Sequence, residues 1–243
     1  MRAVVLAAGT GSRLGELTKV RTKGMVPVRG KRLIDYLLDF FEIDFFDQIV
    51  VVGGFYYEDL KDHIDKKKLK KVKVVENKEY LKGNIFSLIR GLNEFSNDSF
   101  LITNVDHIYP SVMFSKMMQS FGSITAMCDF DRNLTDDDMK VKLRKPAKTI
   151  ELIRKDLREF DCGYIGMTYV DISVERLYRT TVQKVMEKFG DKAVAENVLQ
   201  ILADDEITAP KICDLSGIGW YEVDNEEDLR KAEAGLLKDK NFK

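Results

Sequence analysis

Four short runs constrain this chain more than any other feature. Arg2–Leu6 (RAVVL), Gln48–Val52 (QIVVV), Val72–Val75 (VKVV) and Phe100–Asn104 (FLITN) are apolar at nearly every position rather than at alternate ones. A strand that is apolar on both faces has to be covered on both faces. Between these runs the spacing turns helical, over Leu33–Ile43 (LIDYLLDFFEI), Tyr57–Ile64 and Asn84–Phe95. Doubly buried strands in β-α-β-α order predict an α/β fold: a mostly parallel, mixed sheet with helices on both faces. The rhythm then changes. Ser123–Cys128, Met139–Leu143, Thr149–Ile153 and Tyr164–Val170 read as strands with few helices between them. Asp171–Phe189, Val194–Ala203 and Glu226–Leu237 read as helices. The expectation is one domain over residues 1–243 with a mixed second half, frayed over Lys238–Lys243.

With 243 residues, 44% of them hydrophobic, the chain can bury a core of that size. Its 39 basic and 40 acidic side chains leave a net charge of −1, which argues against a dedicated nucleic-acid binder. The charged fraction of 33% exceeds the usual quarter and suits an ion-paired, heat-adapted surface. Cys128, Cys162 and Cys213 lie far apart with no C-x-x-C spacing, so they propose no zinc site. Reduced thiols fit a cytoplasmic compartment. The N-terminus enters a strand at once, without the regions of a signal peptide. No apolar run has the length of a membrane span. The lysine-rich Asp65–Lys73 (DKKKLKKVK) reads as a solvated helix end, where lysines suit the dipole.

The first strand runs into Gly9-Thr10-Gly11-Ser12-Arg13, followed by Lys19, Arg21 and Lys23. Glycines let the backbone curl so that its N–H groups face an anion, and the bases add positive charge. Ligands bind at the carboxyl edge of such sheets. A Walker A loop needs Lys-Ser/Thr directly after its last glycine, which is absent. A dinucleotide fingerprint needs a third glycine one position earlier than Gly15, and an acidic residue where Gly53-Gly54 stand. There remain a nucleotide loop with an arginine and a distant lysine, and a tight turn with incidental bases. Nucleoside triphosphate chemistry needs Mg²⁺, a hard ion that takes carboxylates. Asp106 follows FLITNV, and Asp224 closes WYEVD ahead of a helix. On the residues alone, Asp106 reads equally as a turn residue and Asp224 as a helix N-cap.

LAAGTGSRL, with Lys23 ten residues after Arg13 in LTKVRTKGMVPV, resembles the signature of the sugar-nucleotidyltransferases. That pattern is L-x-x-G-x-G-x-R followed by P-K; here Thr22 and Gly24 flank the lysine and Pro27 is kept. NVDHIY resembles the family's G-D-H or S-D-H element, with Val105 in the glycine position. WYEVDNEEDLRKA resembles its late W-x-D-V-D-T-x-E-D element. The resemblance implies a Rossmann-like nucleotidyltransferase fold. It implies that Leu6, Ala7, Ala8, Gly9, Thr10, Gly11 and Ser12 bind the nucleotide and that Arg13 and Lys23 act in catalysis. It implies that Asp106 and Asp224 bind Mg²⁺. His107 reads as a supporting or packing residue and His63 as a surface one.

In ENKEYLKGNIFSL, Gly83-Asn84 opens a helix. The Asn84 amide can donate and accept together, as base reading requires, and can equally cap the helix. K-G-N-x-x-S-L resembles the cytidylyltransferases acting on phosphocholine and inositol phosphate, which implies CTP as donor and Gly83, Asn84 and Ser87 as contacts. The acceptor clue is KDLREFDCG, Lys155–Gly163. Phosphocholine asks for an aromatic cage, which Phe55, Tyr56 and Tyr57 offer. A polyol phosphate asks for carboxylates on hydroxyls and a base on the phosphate. Asp156, Arg158, Glu159 and Asp161, with Lys140, supply that set, and a salt-bridged turn accounts for it equally. MKVKL, KDLREFDC and W-x-x-V-D resemble, in order, the inositol-1-phosphate cytidylyltransferases, over Val4–Ala234. Implied is the joining of CTP and inositol 1-phosphate into CDP-inositol with release of pyrophosphate, in compatible-solute biosynthesis. Nucleic acid and membrane insertion are not expected. In some relatives this portion is fused to a membrane phosphotransferase that takes the product, and a stand-alone form is expected here. The alternatives are a phosphocholine or hexose 1-phosphate acceptor, and a non-catalytic nucleotide-binding regulator.

Overall fold

The apolar runs all become strands in the computed structural model, which describes residues 1–42 and 44–242. In chain order the elements are β1 (Arg2–Ala7), β2 (Pro27–Val28), β3 (Lys31–Arg32), α1 (Leu33–Phe40), β4 (Gln48–Gly53), α2 (Tyr57–Lys66), β5 (Val72–Glu76) and α3 (Asn84–Leu92). Then come β6 (Phe100–Asn104), β7 (His107–Ile108), α4 (Val112–Ser120), β8 (Ile124–Asp129), β9 (Lys140–Arg144) and β10 (Thr149–Arg154). The last are β11 (Cys162–Val170), α5 (Glu175–Phe189), α6 (Glu196–Ala203), β12 (Lys211–Asp214), β13 (Tyr221–Glu222) and α7 (Glu226–Lys238). Two compact units result. The first takes Met1–Ser96, Ile102–Val112 and Ile218–Lys243; the second takes Asn97–Leu101 and Met113–Gly217.

In the first unit the strand order is β5-β4-β1, followed by β6, of which residues 102–104 belong to this unit. β1 runs parallel to β4 from Arg2↔Gln48 to Ala7↔Gly53, and β4 to β5 from Ile49↔Val72 to Gly53↔Glu76. The register therefore brings Ala7, Gly53 and Glu76 to one carboxyl edge, where the Gly9–Arg13 loop begins. Val4, Val5, Val50 and Val51 are fully buried, as strands covered on both faces must be. Gly91 lets α3 sit close to the sheet, since a Cβ there would meet Val4 Cγ1 at 2.5 Å. Two miniature sheets complete the unit: β2 with β3, and β7 with β13. A fully buried cluster of Leu14, Val26, Val28, Leu33, Ile108, Val223 and Ala232 packs beneath them.

In the second unit the order is β11-β8-β12-β10-β9, with β9 also pairing β11. β12 is parallel to β8, while β11–β8, β10–β12, β10–β9 and β11–β9 are antiparallel. This is the mixed second half that the strand-rich stretch predicts.

Several boundaries differ from expectation. α1 stops at Phe40, and Ile43 lies outside the described residues. Asp171–Phe189 is not one helix: the Asp171 carboxylate accepts from Ser173 N–H at 3.0 Å, and a 3₁₀ turn over Ile172–Val174 precedes α5. The chain end is not frayed up to Phe242, which packs on the Tyr221 ring at 5.5 Å, while Asn241 Nδ2 donates to Ile218 O at 2.6 Å. Lys243 lies outside the described residues. The lysine-rich stretch is exposed from Lys66 to Lys68, as a solvated helix end should be. His63 is not merely surface. Arg32 can only donate, so His63 Nδ1 accepts from it and Nε2 donates to the buried Asp35 at 2.7 Å.

Candidate active site

The glycine loop leaves β1 at the carboxyl edge and turns immediately. Gly11 sits at φ 65°, where side chains rarely go, and its carbonyl accepts from Leu14 N–H (2.9 Å) and Thr18 Oγ1 (2.8 Å). Thr22 Oγ1 bonds back to Ala7 O at 3.2 Å, tying the lysine segment to the strand. Leu6, Ala7 and Ala8 are buried, whereas Gly9 and Ser12 are exposed. A Cβ on Gly11 would lie 3.0 Å from both Lys23 Cβ and Thr18 Cγ2. The loop thus rests on the stem of Lys23. Gly11→Val is expected to unseat both, lowering any turnover by about a hundredfold, the scale of a misplaced catalytic group. Steady-state kinetics of the variant check this, and an unchanged kcat would remove the loop's role in placing Lys23.

Lys23 is buried, and its ammonium is held by two carboxylates. Nζ donates to Asp106 Oδ2 at 2.7 Å and also to Asp224 Oδ1. The second oxygen of each aspartate is engaged too. Arg13 donates to Asp224 Oδ2 at 2.9 Å, and His107 Nδ1 lies 2.6 Å from Asp106 Oδ1. Four sequence-predicted residues, Arg13, Lys23, Asp106 and Asp224, therefore meet in one chain of alternating charge. Burial works against the charged form of Asp106, but Lys23 and His107 outweigh it and hold its carboxyl well below the ordinary range. Burial likewise opposes the Lys23 charge and is outweighed by Asp106 and Asp224, so the ammonium is raised above its usual value.

The local packing explains why these residues meet. Leu14 follows Arg13, Val26 closes the 3₁₀ turn that carries Lys23, Ile108 lies two residues past Asp106, and Val223 precedes Asp224. All four belong to the fully buried cluster. Each such side chain contributes about 1.5–3 kcal/mol on burial, so the charges ride on anchored backbone. Glu222 pairs with His107 across β13 and β7, and Val223 N–H donates to Asp106 O at 2.9 Å. Asn225, not Asp224, caps α7, accepting from Glu227 and Asp228 N–H at 2.9 and 3.0 Å. That frees Asp224 from the capping role that sequence alone allows it.

The donor set fits a hard divalent cation. Oxygens of Asp106 and Asp224 converge on a single position, which the Lys23 ammonium fills. Asp106, His107 and Glu222 also bring one ligand atom each within 4.8 Å of one another. There, however, His107 Nδ1 is engaged in a hydrogen bond with Asp106 Oδ1 at 2.6 Å.

The expected base-reading segment also lies in the first unit. Gly83, at φ 123°, is the N-cap of α3, and Asn84 is its first helical residue rather than the cap. Ser87 is buried, its Oγ accepting from Asn77 Nδ2 at 2.9 Å, while Asn77 Oδ1 accepts from Glu79 N–H. Asn77 is a pivot of this segment that the sequence reading misses. Phe55 packs edge-on against Tyr56 with centroids 4.7 Å apart and lies 6.3 Å from Tyr80, while Tyr57 lies over Gly53. The aromatic group is therefore Phe55, Tyr56 and Tyr80.

In the second unit, Lys140 is buried at the start of β9, and its Nζ donates to Lys155 O at 2.7 Å, 5.9 Å from the Phe160 ring. Asp161 accepts from Leu143 N–H at 2.9 Å and pairs with Lys145 at 3.3 Å, which together lower its pKa. Glu159 lies 3.5 Å from Lys142 and Asp156 3.4 Å from Arg154, while Arg158 is exposed. Cys128, Cys162 and Cys213 are buried and free.

Residues 3–133, more than half of the chain, match the MobA-like NTP transferase domain. The chain belongs to the MobA-like NTP transferase family. Its relatives within reach of this NTP transferase chain include a bifunctional IPC transferase and DIPP synthase from Archaeoglobus fulgidus. That protein is 30% identical over 241 residues, which cover 98% of this chain and 44% of the relative. A choline-phosphate cytidylyltransferase from Streptococcus pneumoniae is 26% identical over 253 residues, covering 99% of this chain and all of that one. The structure of an inositol-1-phosphate CTP transferase from T. maritima shares the fold, with a TM-score of 0.79 over 98% of this chain and 96% of that one at 20% identity. The chain spans about half the length of the bifunctional relatives it matches. Asp224 lies outside the matched residues, and the β7–β13 pairing brings it into the site.

Proposed function

We propose that this chain transfers the cytidylyl group of CTP to a phosphate monoester, inositol 1-phosphate, giving CDP-inositol and pyrophosphate. The observation that carries this reading is the convergence of Arg13, Lys23, Asp106 and Asp224 beside the glycine loop. The names of the bifunctional relatives and of the T. maritima neighbour support the donor and the acceptor class.

A phosphate monoester with a second pKa near about 6 is mostly a dianion at neutral pH, so it attacks without a general base. One of its oxygens bonds to the α-phosphorus in line, and the bond from that phosphorus to the α–β bridging oxygen breaks. The electron pair leaves with pyrophosphate. Positioning and charge neutralisation do the rest. Arg13 and the Gly9–Ser12 amides are assigned to the leaving pyrophosphate, and Lys23 to charge developing at the α-phosphate. Lys23 is the ammonium on which both aspartates close, so it exchanges carboxylate partners for phosphate oxygens. Asp106 and Asp224 would hold Mg²⁺, which when bound offsets the repulsion between the two phosphates. Gly83 and Asn84 are assigned to the base. Lys140 and Arg158 are assigned to the acceptor phosphate by charge, and Asp156, Glu159 and Asp161 to its hydroxyls. Among the described residues no helix is long and apolar enough to cross a membrane.

A second reading, phosphocholine as acceptor, is favoured by the end-to-end match to the pneumococcal relative. Pyrophosphate release separates the two. CTP is run against the other triphosphates, and inositol 1-phosphate against phosphocholine and glucose 1-phosphate, each with Mg²⁺. Release with CTP and inositol 1-phosphate alone is the expected result. Release with another acceptor keeps the chemistry and discards the acceptor assignment. Silence with every pair, in protein that binds CTP, makes the chain a nucleotide-binding regulator.

A further inference from the structure

A carboxylate turns easily about its last bond, because that torsion is broad and roughly two-fold. The partner that holds one oxygen of Asp106 therefore sets the plane in which the other is presented to the cation position. That partner is His107. Its Nδ1 lies 2.6 Å from Asp106 Oδ1, leaving Oδ2 aimed at the position that Lys23 Nζ fills, 2.7 Å away.

The imidazole is itself held by three side chains. Its ring stacks with those of Tyr109 and Trp220, each with centroids 5.5 Å away and planes within 19° and 16° of parallel. The side chain is 4% exposed. On the far edge Nε2 faces Glu222 Oε1 at 3.7 Å. Glu222 is the register partner of His107 in the β7–β13 pair, and Tyr221 that of Ile108. Trp220 and Glu222 thus come from the segment that leads into Asp224, and His107 and Tyr109 from the segment that begins with Asp106. One stack of side chains spans both aspartate-bearing segments.

We propose that His107 is a positioning residue: through Nδ1–H it orients the Asp106 carboxylate, and Trp220, Tyr109 and Glu222 hold the imidazole to that task. The proposal rests on the reading of Asp106 as a cation ligand. Second partners of this kind fix the orientation of first ligands, and their loss weakens metal binding by about 10–100-fold.

Two substitutions test it. His107→Phe keeps a ring in the stack and removes both nitrogens. His107→Asn gives up the ring and returns an N–H donor close to the place of Nδ1. In crystal structures, His107→Phe is expected to turn Asp106 so that Oδ2 leaves Lys23 Nζ, and His107→Asn to keep that contact. Mn²⁺ binding in the presence of CTP, followed by electron paramagnetic resonance, should weaken about tenfold or more in His107→Phe and recover to within about threefold of wild type in His107→Asn. KM for CTP should stay within about twofold while kcat falls. A packing role alone predicts the reverse order, with His107→Asn the more damaged and Mn²⁺ affinity following thermal stability. That order, or an unmoved Asp106 in His107→Phe, overturns the proposal. Should His107→Phe fail to fold, Trp220→Leu keeps the histidine but removes a ring that holds it, and an unchanged Mn²⁺ affinity there overturns the proposal too. Failure of the cytidylyl-transfer reading shows separately, as wild-type protein that releases no pyrophosphate while the Asp106 orientation still responds.

Discussion

Lys23→Met should cut nucleotidyl transfer about a thousandfold, the scale of losing a preorganised group at a developing charge. It should also make the fold depend on divalent cations. Lys23 Nζ is the shared partner of Asp106 and Asp224, and removing it leaves the two carboxylates facing each other with only Arg13 and His107 on their outer oxygens. Breaking a buried ion pair from one side costs about 3–5 kcal/mol. A divalent ion can take the vacated position, so Mg²⁺ should raise the melting temperature of the variant more than that of wild type. Thermal unfolding in EDTA and in Mg²⁺ measures both. The pH dependence should change as well. In wild type the folded-state pKa of Asp106 is depressed, so its contribution is full above the unfolded value of about 3.9 and is lost as pH falls. In Lys23→Met the two carboxylates face each other without the ammonium between them, which raises the Asp106 pKa from its wild-type value. That variant should therefore lose less stability than wild type as pH falls through the acidic range. An equal response to Mg²⁺ and to acid in both proteins would mean that the aspartates do not share a cation.

Asp106→Ala should leave a folded protein with turnover lowered by about 10²–10³ and a Mg²⁺ requirement shifted to higher concentration. The fold stands because each neighbour keeps a partner: Lys23 retains Asp224, and His107 retains Glu222. The cation position, however, loses one of two carboxylates. Rate against Mg²⁺ concentration checks this, alongside melting temperature. Near wild-type turnover at ordinary Mg²⁺ would remove Asp106 from the reaction. A large loss of stability with no shift in Mg²⁺ dependence would make it a structural acid only.

The parallel half of the fold was legible because its signal is local and repeated. Doubly apolar runs leave few options, and the glycine loop follows from the turn it must make. Arg13 and Lys23 could be named from that loop with the family resemblance beside it. The meeting of Asp106 with Asp224 was not legible from residues, since β7 and β13 have two residues each and two residues carry no period. For the same reason Glu222, Trp220 and the stack on His107 went unread. α4 was missed because VMFSKMMQS mixes apolar and polar positions without a clean stripe. Asn77 left no sign because its role is to brace a turn from inside. His63 looked like a surface residue because its partners, Arg32 and Asp35, lie about thirty positions away in sequence.

The β7–β13 pair has a consequence for how the protein comes to exist. Those strands lie more than a hundred residues apart in sequence, and the stretch Met113–Gly217 between them belongs to the second unit. Such long-range pairing costs loop-closure entropy before it gains anything, and it slows folding. A nascent chain can build the β1–β4–β5 sheet early, from neighbours in sequence. It cannot bring Asp224 to Asp106 until β13 and Asp224 have been made. The carboxylate pair is then a late part of the first unit to assemble, and in refolding experiments divalent-cation affinity should return later than the parallel sheet.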